Sequence, residues 1–273
     1  MTDPEFRTDL YRGTADDYER FRQRYPQTLI SHLVERVAPH GADRMLDLAC
    51  GTGQLSFALR GSFAQIWAVD QEPDMIAVVR EKALAGGAEE IHAEVAAAES
   101  ADLPAGAFDL IAIGNAFHRM RRDAVAANSA RWLRPGACLA LVWGGSPFLG
   151  DAPWQRALHG LMERWQRRAL AHTGGSARVP DGWEQARAAR PDQDVLAEAG
   201  FEPAGRFEFP TERAWTPEEL CGFLLATAGL TRLALGSLKP EFERELLAEM
   251  GAFASDGRLH QTEDFAYELA RRP

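Results

Sequence analysis

Cysteine is scarce in this chain. Cys50, Cys138 and Cys221 lie far apart, are odd in number and form no C-x-x-C pair. That argues against a disulfide framework and leads to the expectation of reduced thiols in a cytoplasm. Positive charge is also in deficit, with 30 Lys and Arg against 40 Asp and Glu and a net charge of −10. A nucleic-acid partner held through its phosphates needs a basic surface, so none is expected. No apolar run approaches the roughly 20 residues that a membrane helix requires. The opening MTDPEFRTDLYRG lacks the charged-then-apolar layout of a signal peptide, so no membrane association is expected. The seven histidines form no H-x-x-x-H spacing and no Cys/His cluster, so no metal is expected. There is no internal repeat. What remains is an ordinary globular composition, 46% hydrophobic and 26% charged, over 273 residues. That length is near the upper end for one domain.

What the chain does have is alternation. Tyr18, Phe21, Tyr25, Leu29, Leu33 and Val37 fall at helical spacing, and Pro26 divides them into two helices. Strand patterns then alternate with helix patterns: strands at 44–49, 65–70, 89–95, 108–115 and 137–145, helices at 54–61, 73–87 and 123–133. Such β-α order predicts a doubly wound, mostly parallel sheet with helices on both faces. The second half is more helical. A helix at 195–201 ends at Gly200 and feeds a strand near 203–211, and 259–272 reads as a closing strand. The expectation is one α/β domain over 1–273. Its α-helical cap is built from about 1–37, 147–192 and 216–256. Trp154, Leu158, Leu161, Trp165 and Ala169 share one helix face and read as cap core. Thr216-Pro217-Glu218-Glu219 reads as a helix start.

The chemistry concentrates in LDLACGTGQLSFAL, residues 46–59. In a doubly wound sheet the ligand sits beyond the C-terminal ends of the strands. Gly51 and Gly53 let the backbone turn tightly there and approach a ligand. In dinucleotide folds the G-x-G-x-x-G turn carries a pyrophosphate to a helix N-terminus. Here Ser56 replaces the third glycine, and Asp47 brings a negative charge, which favours a cationic, phosphate-free ligand. Asp47 stands too far ahead of the helix pattern to read as its N-cap. Asp70 ends the second strand, where a carboxylate accepts both ribose hydroxyls. A ribose beside a cation has the shape of S-adenosylmethionine.

Four ordered stretches, LDLACGTG, AVDQEPDMI, AAAESADLPAGAFDLIAIGNAFHRM and ARWLRPGACLALV, resemble the successive motifs of the class I S-adenosylmethionine-dependent methyltransferases. The resemblance covers about residues 15–145. YERFRQRYP and WTPEELCGFL resemble the small-molecule branch related to trans-aconitate methyltransferase. The resemblance implies a Rossmann-like seven-stranded sheet and S-adenosylmethionine as cofactor, with S-adenosylhomocysteine as product. It places Ala49, Gly51 and Gly53 beside the methionine part, with Asp47 near its ammonium. Asp70 would bind the ribose, Gln71 and Met75 would lie against ribose and adenine, and Ala98 and Glu99 would sit at the adenine edge. Asn115 would offer its backbone near the ammonium. Tyr18 and Arg22 would close over the cofactor, with Arg22 facing its carboxylate. Two positions depart from the pattern: Ala49 stands where the family often has Gly, and Ala97 where it often has Asp.

Methyl transfer from a sulfonium mainly requires alignment in a dry pocket, and a base only if the acceptor must lose a proton. His118, just past a buried strand, is the expected base, with Tyr11, Tyr18 and Asp16 behind it. The aromatic cap suggests a small-molecule acceptor such as a secondary metabolite. Two rivals stand beside this reading, and a third, an NAD-dependent dehydrogenase, is disfavoured by Asp47 and Ser56. One is trans-aconitate-like carboxylate methylation, which needs pocket arginines such as Arg178, Arg187 and Arg190. The other is a protein that binds the cofactor without methylating. The acceptor atom and the oligomeric state are not fixed by the sequence.

Overall fold

The structure is a computed structural model that describes residues 6, 7, 9–39, 43–173, 180, 182–227 and 229–273. Seven strands form one sheet: β1 (Arg44–Leu48), β2 (Gln65–Asp70), β3 (Ile91–Val95), β4 (Phe108–Gly114), β5 (Leu133–Trp143), β6 (Glu202–Trp215) and β7 (Leu259–Arg271). Their order is β3-β2-β1-β4-β5-β7-β6, and β7 runs antiparallel to both its neighbours. The Rossmann-like, mostly parallel sheet expected from the sequence is therefore what forms. The order reverses between β1 and β4, which puts the switch point at their C-terminal ends.

Both faces of the sheet are covered. On one face, Met45, Ile66, Ala68, Leu110 and Ala112 pack against α2 (Gln27–Val37), α3 (Gln54–Ala58) and α4 (Pro73–Ala85). On the other, Leu46, Leu48, Ile111 and Leu139 pack against α5 (Arg122–Trp132) and α8 (Asp192–Glu198). Burial on both faces explains why these strands read as continuous apolar runs. Pro26 separates α1 (Ala15–Phe21) from α2, as its missing N–H dictates.

A third apolar cluster lies beyond the sheet. Leu158, Leu161 and Trp165 of α6 (Pro153–Thr173) meet Trp215, then Leu220 and Leu224 of α9 (Pro217–Leu225), and Phe242 and Leu246 of α11 (Lys239–Gly251). Between them lie the shorter α7 (Trp183–Ala189) and α10 (Arg232–Leu235). The Thr216 hydroxyl accepts from the Glu219 amide at 3.2 Å while the Glu219 carboxylate accepts from the Thr216 amide at 3.0 Å. This reciprocal cap starts α9 where the sequence places it.

Several boundaries differ from the sequence reading: β6 runs on to Trp215, α8 spans Asp192–Glu198 rather than 195–201, and β3 starts at Ile91. Strand β5 begins at Leu133, because Pro135-Gly136 are absorbed by a register shift against β4. Helix α3 ends at Ala58 because Arg60 enters a short bridge with Phe63.

Candidate active site

A cavity of about 700 Å³ opens at the switch point, a size typical of small-molecule sites. Its walls come from the ends of β1, β2 and β4, the segment after β3, and the N-terminal segment through α1. Tyr18, Ala49, Gly51, Asp70, Gln71, Met75, Ala98, Glu99 and Asn115 all line it.

The glycine loop is built by backbone conformation. Ala49, Gly51 and Gly53 hold φ of 56°, 54° and 80°. At Gly51 an added Cβ would stand 3.2 Å from the Tyr18 ring; at Gly53 it would stand 3.1 Å from Phe57 and 3.2 Å from Val79. Gly51 therefore keeps the loop open to the cavity under Tyr18, whereas Gly53 permits close packing of the loop on α3 and α4. Asp70 ties the loop to β2. Its Oδ2 accepts from the Gly51 amide at 2.8 Å and its Oδ1 from the Glu72 amide at 2.9 Å. Burial raises its pKa. Lys82 adds a clasp, donating to the Thr52 carbonyl at 2.9 Å and pairing with Glu19 of α1 at 2.8 Å.

Asn115 is another non-glycine residue in the left-handed region, with φ of 51°. Its Oδ1 accepts from the Gly144 amide at 3.1 Å, and its Nδ2 faces the Tyr25 hydroxyl at 3.4 Å. These contacts over-determine a conformation that would otherwise be strained, a pattern met at functional sites. Glu99 accepts from the Arg121 amide at 3.0 Å.

Four expected residues stand elsewhere. Asp47 does not line the cavity. It is 1% exposed, and its Oδ2 accepts from the Ser56 amide at 2.9 Å and the Ser56 hydroxyl at 2.6 Å. Its carboxylate caps the first turn of α3 after all, because the loop folds back over it. Burial lifts its pKa to about 6. Gly53 shapes the turn behind the lining. The Arg22 guanidinium lies over the Tyr18 ring at 4.9 Å and the Phe223 ring at 5.1 Å, so it braces Tyr18 from behind. His118 stacks on Trp183 with ring centroids 5.4 Å apart, outside the lining. Burial and the charge of Arg187 draw its pKa down to about 4, which leaves a neutral, weakly basic imidazole.

The pocket arginines expected for carboxylate recognition are also elsewhere. Arg187 pairs with Asp192, and Arg190 with Asp123 and Glu198. Arg178 lies outside the described residues. Arg119 takes the position in the lining instead, bonded to the Tyr11 hydroxyl and lying over its ring at 5.2 Å. Sequence reasoning also missed Glu72, which lines the cavity with a buried Oε1 that has no partner among the described residues. The adjacency of Glu72 to Asp70 at a strand end was the available signal. Among the described residues no group of three His, Cys, Asp or Glu is arranged to hold a metal ion. No helix among them is long and apolar enough to cross a membrane.

Residues 45–136 match a family described as a methyltransferase domain. An uncharacterized methyltransferase of Mycobacterium tuberculosis is 36% identical over 131 residues, 46% of this chain and 48% of the relative. The chain thus spans about half the length of the curated relatives it first matches. A structure from Anaeromyxobacter dehalogenans named as a type II methyltransferase aligns with a TM-score of 0.64 at 24% identity, covering 92% of this chain and 98% of that one. The [4+2]-cyclase SpnF aligns with a TM-score of 0.53 at 17% identity, covering 93% and 84%. At these identities the structures establish a shared fold.

Proposed function

We propose that this chain, whose residues 45–136 match the methyltransferase-domain family, is an S-adenosylmethionine-dependent methyltransferase acting on a small-molecule acceptor. The observation that carries the reading is Asp70. Its carboxylate lines the cavity, held at one oxygen by the Gly51 amide and at the other by the Glu72 amide, beside a loop whose left-handed residues expose backbone to the same space. Ribose hydroxyls are the natural donors to such a carboxylate.

The other residues fit the group. Ala49 and Gly51 would flank its amino-acid end, with the Asn115 backbone near its ammonium. Gln71 and Met75 would pack on ribose and adenine, and Ala98 and Glu99 would meet the adenine edge. The unpartnered Glu72 adds negative charge to this side, which suits a ligand bearing sulfonium and ammonium. When bound, S-adenosylmethionine supplies an activated methyl group on sulfur. The chain contributes orientation and exclusion of water, with Tyr18 over the loop and Phe6, Leu10 and Tyr11 in the lining. Asp47, Gly53 and Arg22 act one step back, holding α3, the turn and Tyr18 in place.

No histidine lines the cavity among the described residues, and His118 is turned toward Trp183. This favours an acceptor that is already nucleophilic, such as a carboxylate or a neutral amine, over a hydroxyl needing a strong base. The fold is also shared by a cyclase, so turnover decides between catalysis and cofactor binding alone. Calorimetry with S-adenosylmethionine and with NADH tests the first step, and binding of NADH alone would end the reading. Release of S-adenosylhomocysteine with an acceptor panel tests the second.

A further inference from the structure

Phe117, His118 and Arg119 occupy a single 3-10 turn. Three residues per turn send three side chains in three directions. Phe117 enters the core below β4 and His118 stacks on Trp183, which leaves Arg119 turned into the cavity. A guanidinium has five N–H donors. One goes to the Tyr11 hydroxyl, and among the described residues no carboxylate stands within ion-pair distance of the others. The other two arginines of the lining differ from it: Arg7 meets Asp9 at 2.9 Å, and Arg121 is exposed to solvent, whereas Arg119 is half-buried. Burial lowers the Arg119 pKa to about 10, so it stays charged at neutral pH. A phenol is no counter-ion there.

We infer that Arg119 forms an anion-binding subsite that grips a carboxylate on the methyl acceptor. This rests on the methyl-transfer reading above. The cofactor's ribose belongs with Asp70, and its ammonium with the Asn115 backbone. Its amino-acid end belongs with the glycine loop under Tyr18. Arg119 stands four residues past Asn115, and the lining also holds Met120, Leu10 and Phe6, which offer apolar surface to an organic skeleton. One planar cation with donors to spare matches a single carboxylate, which it can hold through paired N–H groups. The carboxylate is a handle whichever acceptor atom receives the methyl.

The test is calorimetric titration of benzoate and phenylacetate against benzamide and phenylacetamide, with the cofactor half saturated by S-adenosylhomocysteine. The wild-type chain should prefer each carboxylate over its amide by roughly tenfold or more, the scale of a charged hydrogen bond. Arg119→Met should abolish that preference, Arg119→Lys should keep part of it, and both should bind S-adenosylhomocysteine within about twofold of wild type, showing an intact fold. Equal binding of carboxylate and amide to the wild type would overturn the inference, as would a preference that survives Arg119→Met. A tenfold or greater loss of S-adenosylhomocysteine affinity in Arg119→Met would overturn it in favour of the cofactor's own carboxylate. If the wild type binds no S-adenosylhomocysteine, the methyl-transfer reading fails. The same probes titrated into the protein alone then still decide whether Arg119 holds an anion.

Discussion

Glu263→Gln should stabilise this protein above neutral pH and change little in acid. Glu263 sits near the start of β7 and is 3% exposed. Its Oε1 accepts from the side-chain amides of Gln23 and, at 2.5 Å, Gln261. Gln261 in turn accepts from Gln155 at 2.9 Å. Arg213 is the nearest compensating charge but forms no ion pair with Glu263 among the described residues. Burial therefore dominates and pushes the pKa to about 7. The folded state keeps this proton over a range where the unfolded chain, with its ordinary glutamate pKa near 4.3, has released it. The native state then binds more protons than the unfolded state, so stability falls as pH rises from about 4.5 to 7 and stays low beyond. At 1.36 kcal/mol per pH unit, the ceiling on that loss is about 4 kcal/mol. Glutamine mimics the protonated acid as an acceptor for both amides and does not titrate. Melting curves at pH 5 and pH 8 should give similar midpoints for the two proteins at pH 5, and a variant higher by about 3–10 °C at pH 8. Asp47, lifted to about 6 by burial, pulls in the same direction in both proteins and cancels in the difference. A variant less stable than wild type at pH 8 would refute the reasoning, because it would mean that the ionised carboxylate is held by Arg213.

Asp70→Ala should weaken S-adenosylmethionine binding by about 2–3 kcal/mol, the range for hydrogen bonds to a charged group, and should also lower the melting temperature because the Gly51 and Glu72 amides lose their acceptor; unchanged affinity by calorimetry would remove Asp70 from the site. His118→Ala should leave turnover within about threefold of wild type, far from the 10²–10⁴-fold that a general base supplies. A hundredfold loss in a steady-state assay would restore the imidazole to the chemistry. Ala49→Gly should be neutral or stabilising by up to about 1 kcal/mol, since alanine at φ of 56° carries a steric cost that glycine does not; a clear drop in the urea midpoint would contradict this. Hydrogen exchange over Tyr11 to Tyr25 should slow when cofactor is added, because Tyr11 and Tyr18 close the cavity; identical exchange with and without cofactor would count against closure.

The sheet was legible because periodicity reports burial, and strands covered on both faces cannot hide their apolar runs. The Pro26 break and the Thr216–Glu219 helix start were legible because each depends on neighbours in sequence. Side-chain direction was harder. Asp47 and Asp70 looked equivalent as acids near strand ends, yet Asp47 pairs with Ala68, two rungs below the end of β2. At about 3.3 Å per residue that is some 7 Å deeper in the sheet. Strand alternation puts Asp47 on the side of Met45, toward α3, and counting the period of two from Met45 would have exposed this. The 3-10 turn offered no such handle. Position just past β4 identified the segment 117–119 as the rim of the site, but not which of three consecutive side chains would face inward. His118 was chosen for its chemistry, and geometry gave the place to Arg119.

That exchange alters the chemistry more than the loss of a single base implies. With His118 inside, the cavity would hold a titratable group suited to activating a hydroxyl near neutral pH. With Arg119 inside, its walls carry carboxylates from Asp70, Glu72 and Glu99 and a fixed cation beside Tyr11. Separated charges of opposite sign orient a zwitterionic cofactor and an anionic acceptor without moving any proton. A site of this kind works by alignment, and its rate should vary with pH chiefly through the acceptor's own ionisation. Neutralising Arg119 should therefore raise KM for an anionic acceptor while leaving kcat at saturation close to unchanged, since the handle acts on the ground state and the transition state alike.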